Sequence, residues 1–192
     1  MGAFQMAALL PWHFDTTRLR AVDPGLVSTR LCERTRALVQ ACRLGAGPAT
    51  RSFWQPWAAA RIEWPFGVFH VRQAEAAYRA CLHLDGSWSM ADAGGALGRW
   101  RIRASALAAD AAWWRPLAEH DTWDAGVAHS LSRLKGFRPR RATLIVVEQA
   151  PMNREGLAML AALEQQAWHW PRAVRVVLVG GDAPAVARPL GF

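Results

Sequence analysis

The sequence predicts a three-layer α/β domain built on a largely parallel sheet. Three observations carry that expectation: an aliphatic run at residues 142–147, a second at 174–179, and an amphipathic run between them bounded by Pro151, Asn153 and Pro171. Ala142-Thr-Leu-Ile-Val-Val147 shows no polar alternation, which is the pattern of a strand covered on both faces. Val174, Val176, Val177, Leu178 and Val179 repeat it, and Gly180-Gly181 permits a sharp turn at the end. Asn153 is a good helix N-cap, and Leu157, Leu160, Leu163 and Ala167 recur at helical spacing until Pro171. Two covered strands joined by one helix are most economically a parallel β-α-β crossover. Both strands then end on one edge, where ligands of open parallel sheets bind, and that edge carries Glu148, Gln149, Gly180, Gly181 and Asp182.

The remaining elements follow in order. Residues 1–22 are apolar without a clear period and are expected to form an N-terminal arm, leaving 23–192 as a single α/β domain. Asp23-Pro24 begins a helix whose face runs through Val27, Leu31, Leu38 and Cys42 to Gly45. Prolines 56 and 65 argue against regular structure in the aromatic segment 53–66. A short strand is expected at 66–71 and a helix at 73–84 with Ala74, Ala77, Tyr78 and Cys81 inward. Alternation in Arg99-Trp-Arg-Ile-Arg103 predicts a strand with Trp100 and Ile102 inward. Ser105 is expected to cap a helix over 106–117. Asp121 or Thr122 caps another, with Trp123, Val127, Leu131 and Leu134 on one face and Gly136 at its end.

At 192 residues, 52% apolar and 20% charged, the chain is long enough for one domain with a substantial core. No apolar stretch reaches the roughly 18 residues of a membrane span, and the start lacks the basic region of a secretory signal, so a cytoplasmic location is expected. Cys32, Cys42 and Cys81 form neither a disulfide framework nor a zinc ribbon, and are read as buried thiols. The net charge of +8 points to an acidic partner. Lys135 is the only lysine, however, and the arginine, alanine and tryptophan content looks like the codon bias of a GC-rich bacterial genome. Eleven tryptophans also suit a protein interface.

The pattern Leu144-Ile-Val-Val-Glu148-Gln-Ala, a helix, then Val176-Val-Leu-Val-Gly180-Gly resembles the second half of a P-loop ATPase core. The likeness is to the AAA ATPase of bacterial secretion and DNA-transposition systems, and the helix, strand, helix, strand order expected from Thr122 onward is similar to the RecA-like fold of bacterial cell-division inhibitors. It covers residues 122–181. In that family a carboxylate pair at the strand end orients magnesium and activates water; here Val147 takes the first position and only Glu148 remains. A Gly-x-x-x-x-Gly-Lys-Ser/Thr loop is also missing, and the glycine loops at 45–47 and 94–98 carry no lysine. The resemblance therefore implies a degenerate nucleotide-binding-like sheet, with no cofactor assigned.

No catalytic set is assembled by the sequence. His120, Asp121, Asp124 and His129 do not fall on one helical face and are read as solvated helix-start residues, with no metal site expected. His169 is a packed helix-end residue on this reading, and Gly86-Ser87-Trp88-Ser89 is not a nucleophile elbow. Arg133, Lys135, Arg138, Arg140 and Arg141 form a basic cluster, Arg99, Arg101 and Arg103 a second, and Phe137 is placed to stack on a base. The leading expectation is a non-enzymatic protein-interaction domain in a bacterial cytoplasmic assembly. The alternatives are a nucleic-acid-associated protein acting through the arginines, or an unorthodox NTPase around Glu148.

Overall fold

A computed structural model describes residues 19–23, 32–44, 66–86, 95–111, 122–137, 139, 141–148, 153–167, 172–181 and 187–189. Its centre is a parallel sheet of five strands: β1 (Phe66–Val71), β2 (Asp124–Ala128), β3 (Thr143–Glu148), β4 (Val174–Val179) and the two-residue β5 (Arg188–Pro189). The spatial order is β2-β3-β4-β1-β5, and every neighbouring pair is parallel. Among the described residues the helices are α1 (Glu33–Leu44), α2 (Ala74–Leu84), α3 (Ala96–Ala111) and α4 (Arg154–Ala167), with a 3-10 turn at Leu131–Leu134.

Two hydrophobic layers cover the sheet, one on each face. On the first, Leu160, Leu163 and Ala167 of α4 and Leu131 and Leu134 of the 3-10 turn pack on Val68, Ile145, Val147, Val176 and Leu178. On the second, Leu38, Val39 and Cys42 of α1 and Ala77, Ala80 and Cys81 of α2 pack on Phe69, Val71, Leu144, Val146 and Val177. The three layers and the parallel sheet agree with the sequence expectation. So does the β3-α4-β4 unit, in which Thr143 to Glu148 pair with Val174 to Val179 in register. The Gly156 amide donates to Asn153 Oδ1 at 2.9 Å, so the cap starts α4 as its sequence indicates. The buried face is Gly156, Leu160, Leu163 and Ala167, while Leu157, expected on that face, is 39% exposed.

Three elements differ from the sequence expectation. The helix expected to run from Asp23-Pro24 to Gly45 is not continuous, since Cys32 is non-helical and α1 begins at Glu33. Residues 99–103 lie inside helix α3, not in a strand, and Trp100 is 64% exposed. Five alternating residues are a short signal, and they sit in a run of Ala, Leu and Arg whose helix propensity is high. Ser105 consequently falls within α3, while 112–117 lie outside the described residues. The helix expected from Asp121 or Thr122 is instead β2 followed by the 3-10 turn, which Gly136 ends with φ +72°. Trp123 and Val127, four apart, share a face in a strand as well as in a helix, so their spacing did not discriminate.

The outer edge of β2 is bridged by Arg20, with Leu19 beside it. Arg20 and Val127 exchange two backbone hydrogen bonds of 2.8 Å in an antiparallel bridge, and Leu19 is buried in the first hydrophobic layer. Covering the edge removes a template for unwanted strand pairing. Residues 1–18, the Asp23-Pro24 helix start beyond Asp23, the segment 53–65, His120, Asp121 and His169 lie outside the described residues. No helix among the described residues is long and apolar enough to cross a membrane.

Candidate functional site

Because all five strands run the same way, their carboxyl ends share one edge. From β1 the chain goes back past β4 and β3 to β2, and from β4 it goes past β1 to β5, so both connections leave from the carboxyl ends of the adjacent central strands β4 and β1. Ligands of open parallel sheets bind outside the carboxyl ends of the strands. Val71, Val179 and Glu148 stand level there, since Val71 and Glu148 both pair with Val179. Gly180 and Gly181 follow β4 with φ of +75° and +67°, consecutive left-handed residues that favour glycine.

This edge is tied together by β1. The Gly180 amide donates to the Val71 carbonyl at 3.0 Å, and His70 Nε2 lies 3.1 Å from the Gly180 carbonyl. A carbonyl only accepts, so His70 carries a proton on Nε2 in this contact. His70 is 6% exposed, and the pair of bonds fixes the first glycine of the turn at both its polar atoms. The sequence offered no signal for His70 beyond its place near the end of a strand.

On the other side of β1 the connection to α2 is Arg72 and Gln73 alone. Gln73 is the N-cap residue of α2 but makes no capping bond with its side chain; its Oε1 instead accepts from Arg34 Nη1 at 2.8 Å. Glu148 ends β3 half-buried. Of the five residues expected at this edge, Glu148, Gly180 and Gly181 lie there, while Gln149 and Asp182 lie outside the described residues.

The expected basic cluster is divided by the fold. Arg133 and Lys135 are exposed on the 3-10 turn and just after it, and Arg138 and Arg140 lie outside the described residues. Arg141 is buried, with Nη1 3.9 Å from Oδ1 of the fully buried Asp124. Asp124 is thus an interior strand residue and not a solvated helix-start group. Phe137 is 1% exposed within the first hydrophobic layer, so its ring is not available to stack on a base. Asp124 opens β2 and His129 follows its last residue, which separates them by about 16 Å. Among the described residues no three metal-ligating side chains come together.

Arg175 is a buried cation that the aliphatic pattern of β4 conceals. Its Nε donates to the Cys42 carbonyl at 2.9 Å and Nη1 to the Val174 carbonyl at 3.2 Å. Cys42 lies in the last turn of α1, where carbonyls lack intrahelical donors, so Arg175 caps that helix from inside the sheet. Burial lowers the Arg175 pKa to about 10, which leaves it charged at neutral pH, and burial pushes the Cys42 thiol up to about 12.

The thiols are not alike. Cys42 and Cys81 are buried as expected, and burial raises Cys81 well above the ordinary thiol value. Cys32 is half-exposed and precedes α1, with Sγ 3.1 Å from Thr35 Oγ1. Hydrogen bonds from Thr35, aided by Arg79, lower its pKa to about 7.

Neither a protein-family model, nor a curated protein, nor a solved structure matches this chain.

Proposed function

We propose that this chain is a non-enzymatic protein-interaction domain of a bacterial cytoplasmic assembly, built on a degenerate nucleotide-binding-like sheet. The observation that carries the reading is the junction after β1. A phosphate-binding loop lies between a strand and the helix that follows, and wraps the polyphosphate with glycine backbone amides and a lysine. Here that junction is Arg72 and Gln73, without glycine or lysine, and Gln73 is engaged by Arg34. Two residues present too few backbone N-H groups to cradle a chain of phosphates. Val147 in place of a second acidic residue beside Glu148 supports the same conclusion. The nucleic-acid alternative is weakened by the burial of Arg141 and Phe137, which removes two of the side chains it drew on.

Nucleotide assays test the reading from one side and stoichiometry from the other. Phosphate release from ATP or GTP with magnesium is expected to stay at background, and neither nucleotide should raise the melting temperature. Cross-linking before lysis, followed by purification, is expected to retain a protein partner at fixed stoichiometry. Hydrolysis that disappears in Glu148→Gln, or a monomer with no cross-linked partner, overturns it.

A further inference from the structure

Helix α3 presents an apolar stripe to solvent. Leu97 is 73% exposed, Trp100 64% and Leu107 50%, and half-buried Ala104 lies between the last two. Their spacing of three, four and three residues is that of the a and d seam by which one helix receives another. The stripe from Leu97 to Leu107 is about 15 Å long, enough for two turns of a partner helix. Large apolar groups clustered this way on a surface mark a binding site more often than scattered ones do.

The charges beside the stripe select its occupant. Arg101 is exposed at the e position flanking the seam and Arg99 is exposed at c on its outer side, both in the N-terminal half of α3, whose first turn carries no acidic residue. Arg99, at the end of the first turn, opposes the helix dipole, and an anionic neighbour would offset it. A second copy of the chain would bring arginine against arginine. A nucleic acid would use the arginines and Trp100 but leave Leu97 and Leu107 in water. An amphipathic helix with leucine-like side chains on one face and carboxylates along its margins satisfies both features at once. We propose that α3 is the docking surface for such an acidic helix of a partner protein. The proposal rests on the protein-interaction reading above and names the surface and chemistry of that interaction.

The probe is a fluorescent helical peptide with leucine at its a and d positions and glutamate at e and g, titrated into the full chain. Binding is expected, and Leu97→Ser and Trp100→Ser should each weaken it about tenfold or more without changing the melting temperature, since both side chains are exposed. The same peptide with lysine in place of glutamate should bind far more weakly. Equal binding of both peptides, or no effect of either substitution, overturns the proposal. So does loss in those variants of binding to phosphatidylserine vesicles, oligothymidylate or a second copy when the glutamate peptide does not bind. If the peptide fails while a partner still cross-links to residues outside α3, the interaction reading stands and only this surface falls.

Discussion

Replacing Arg141 with methionine tests whether the last cation of the basic run belongs to the surface or to the interior. Asp124 is fully buried, Arg141 is 5% exposed, and the nearest charged atoms are 3.9 Å apart. At an effective dielectric of about 20, two unit charges at this distance attract by about 4 kcal/mol. Much of that gain is offset by the desolvation of both groups, so the pair adds little net stability over an apolar pair of similar size. Removing one partner is different, because the buried Asp124 carboxylate then loses the Arg141 charge, at a cost of up to about 3–5 kcal/mol. The pair therefore holds the start of β2 against the residues preceding β3, helped by Thr143 Oγ1, which donates to the Arg141 carbonyl at 2.9 Å. Urea unfolding followed by tryptophan fluorescence reads the change, since Trp123 is buried one residue away. With an m-value of about 2 kcal/mol/M, the Arg141→Met midpoint should fall by up to about 2 M. The double variant Asp124→Asn with Arg141→Met should recover most of the loss. A single variant within about 0.5 kcal/mol of the parent, or a double variant no more stable than the single, refutes the reasoning.

Further outcomes follow from individual contacts. Gly126→Ala would place Cβ 3.0 Å from the Arg20 carbonyl oxygen and from Leu19 Cβ, so Leu19 and Arg20 must shift. A loss of about 1–3 kcal/mol is expected, with faster hydrogen exchange at the Arg20 and Val127 amides; unchanged exchange would count against the bridge. Asn153→Ala removes the cap of α4 and should cost about 1 kcal/mol in thermal or urea unfolding, with Asn153→Asp close to neutral. Cys32 should react with iodoacetamide at a rate that rises through pH about 7, because only the thiolate is nucleophilic and its pKa is lowered. Thr35→Val should move that midpoint toward the ordinary value of 9.0, while Cys42 and Cys81 stay unreactive in the folded protein. A midpoint near 9.0 in the parent would contradict the Thr35 contact.

The legible parts of this chain were those in which periodicity and burial agree. Leu144 to Val147 and Val176 to Val179 are covered on both faces, so a continuous aliphatic run had no other stable use in water. Asn153 offered a local hydrogen bond that needs no distant residue. Signals fitting more than one local structure misled. The four-residue interval between Trp123 and Val127 suited helix and strand alike, and the alternation through Arg99 and Trp100 was too short to outweigh helix propensity over sixteen residues. The basic run failed as a unit because sequence proximity does not say which side chains face inward. Arg141 is withdrawn to Asp124, seventeen positions earlier, while Arg133 and Lys135 remain on the surface.

By itself the sequence determined the class of fold, the β3-α4-β4 unit and the absence of a glycine and lysine phosphate loop, because each depends on residues close together in the chain. Only the tertiary structure decided which strands adjoin. It brought His70 to Gly180, Arg175 to the end of α1 and Arg20 to the margin of β2, and left the α3 stripe outward. Those contacts join residues up to 133 positions apart. No local propensity encodes them, since they arise only when two separate layers close on the same sheet.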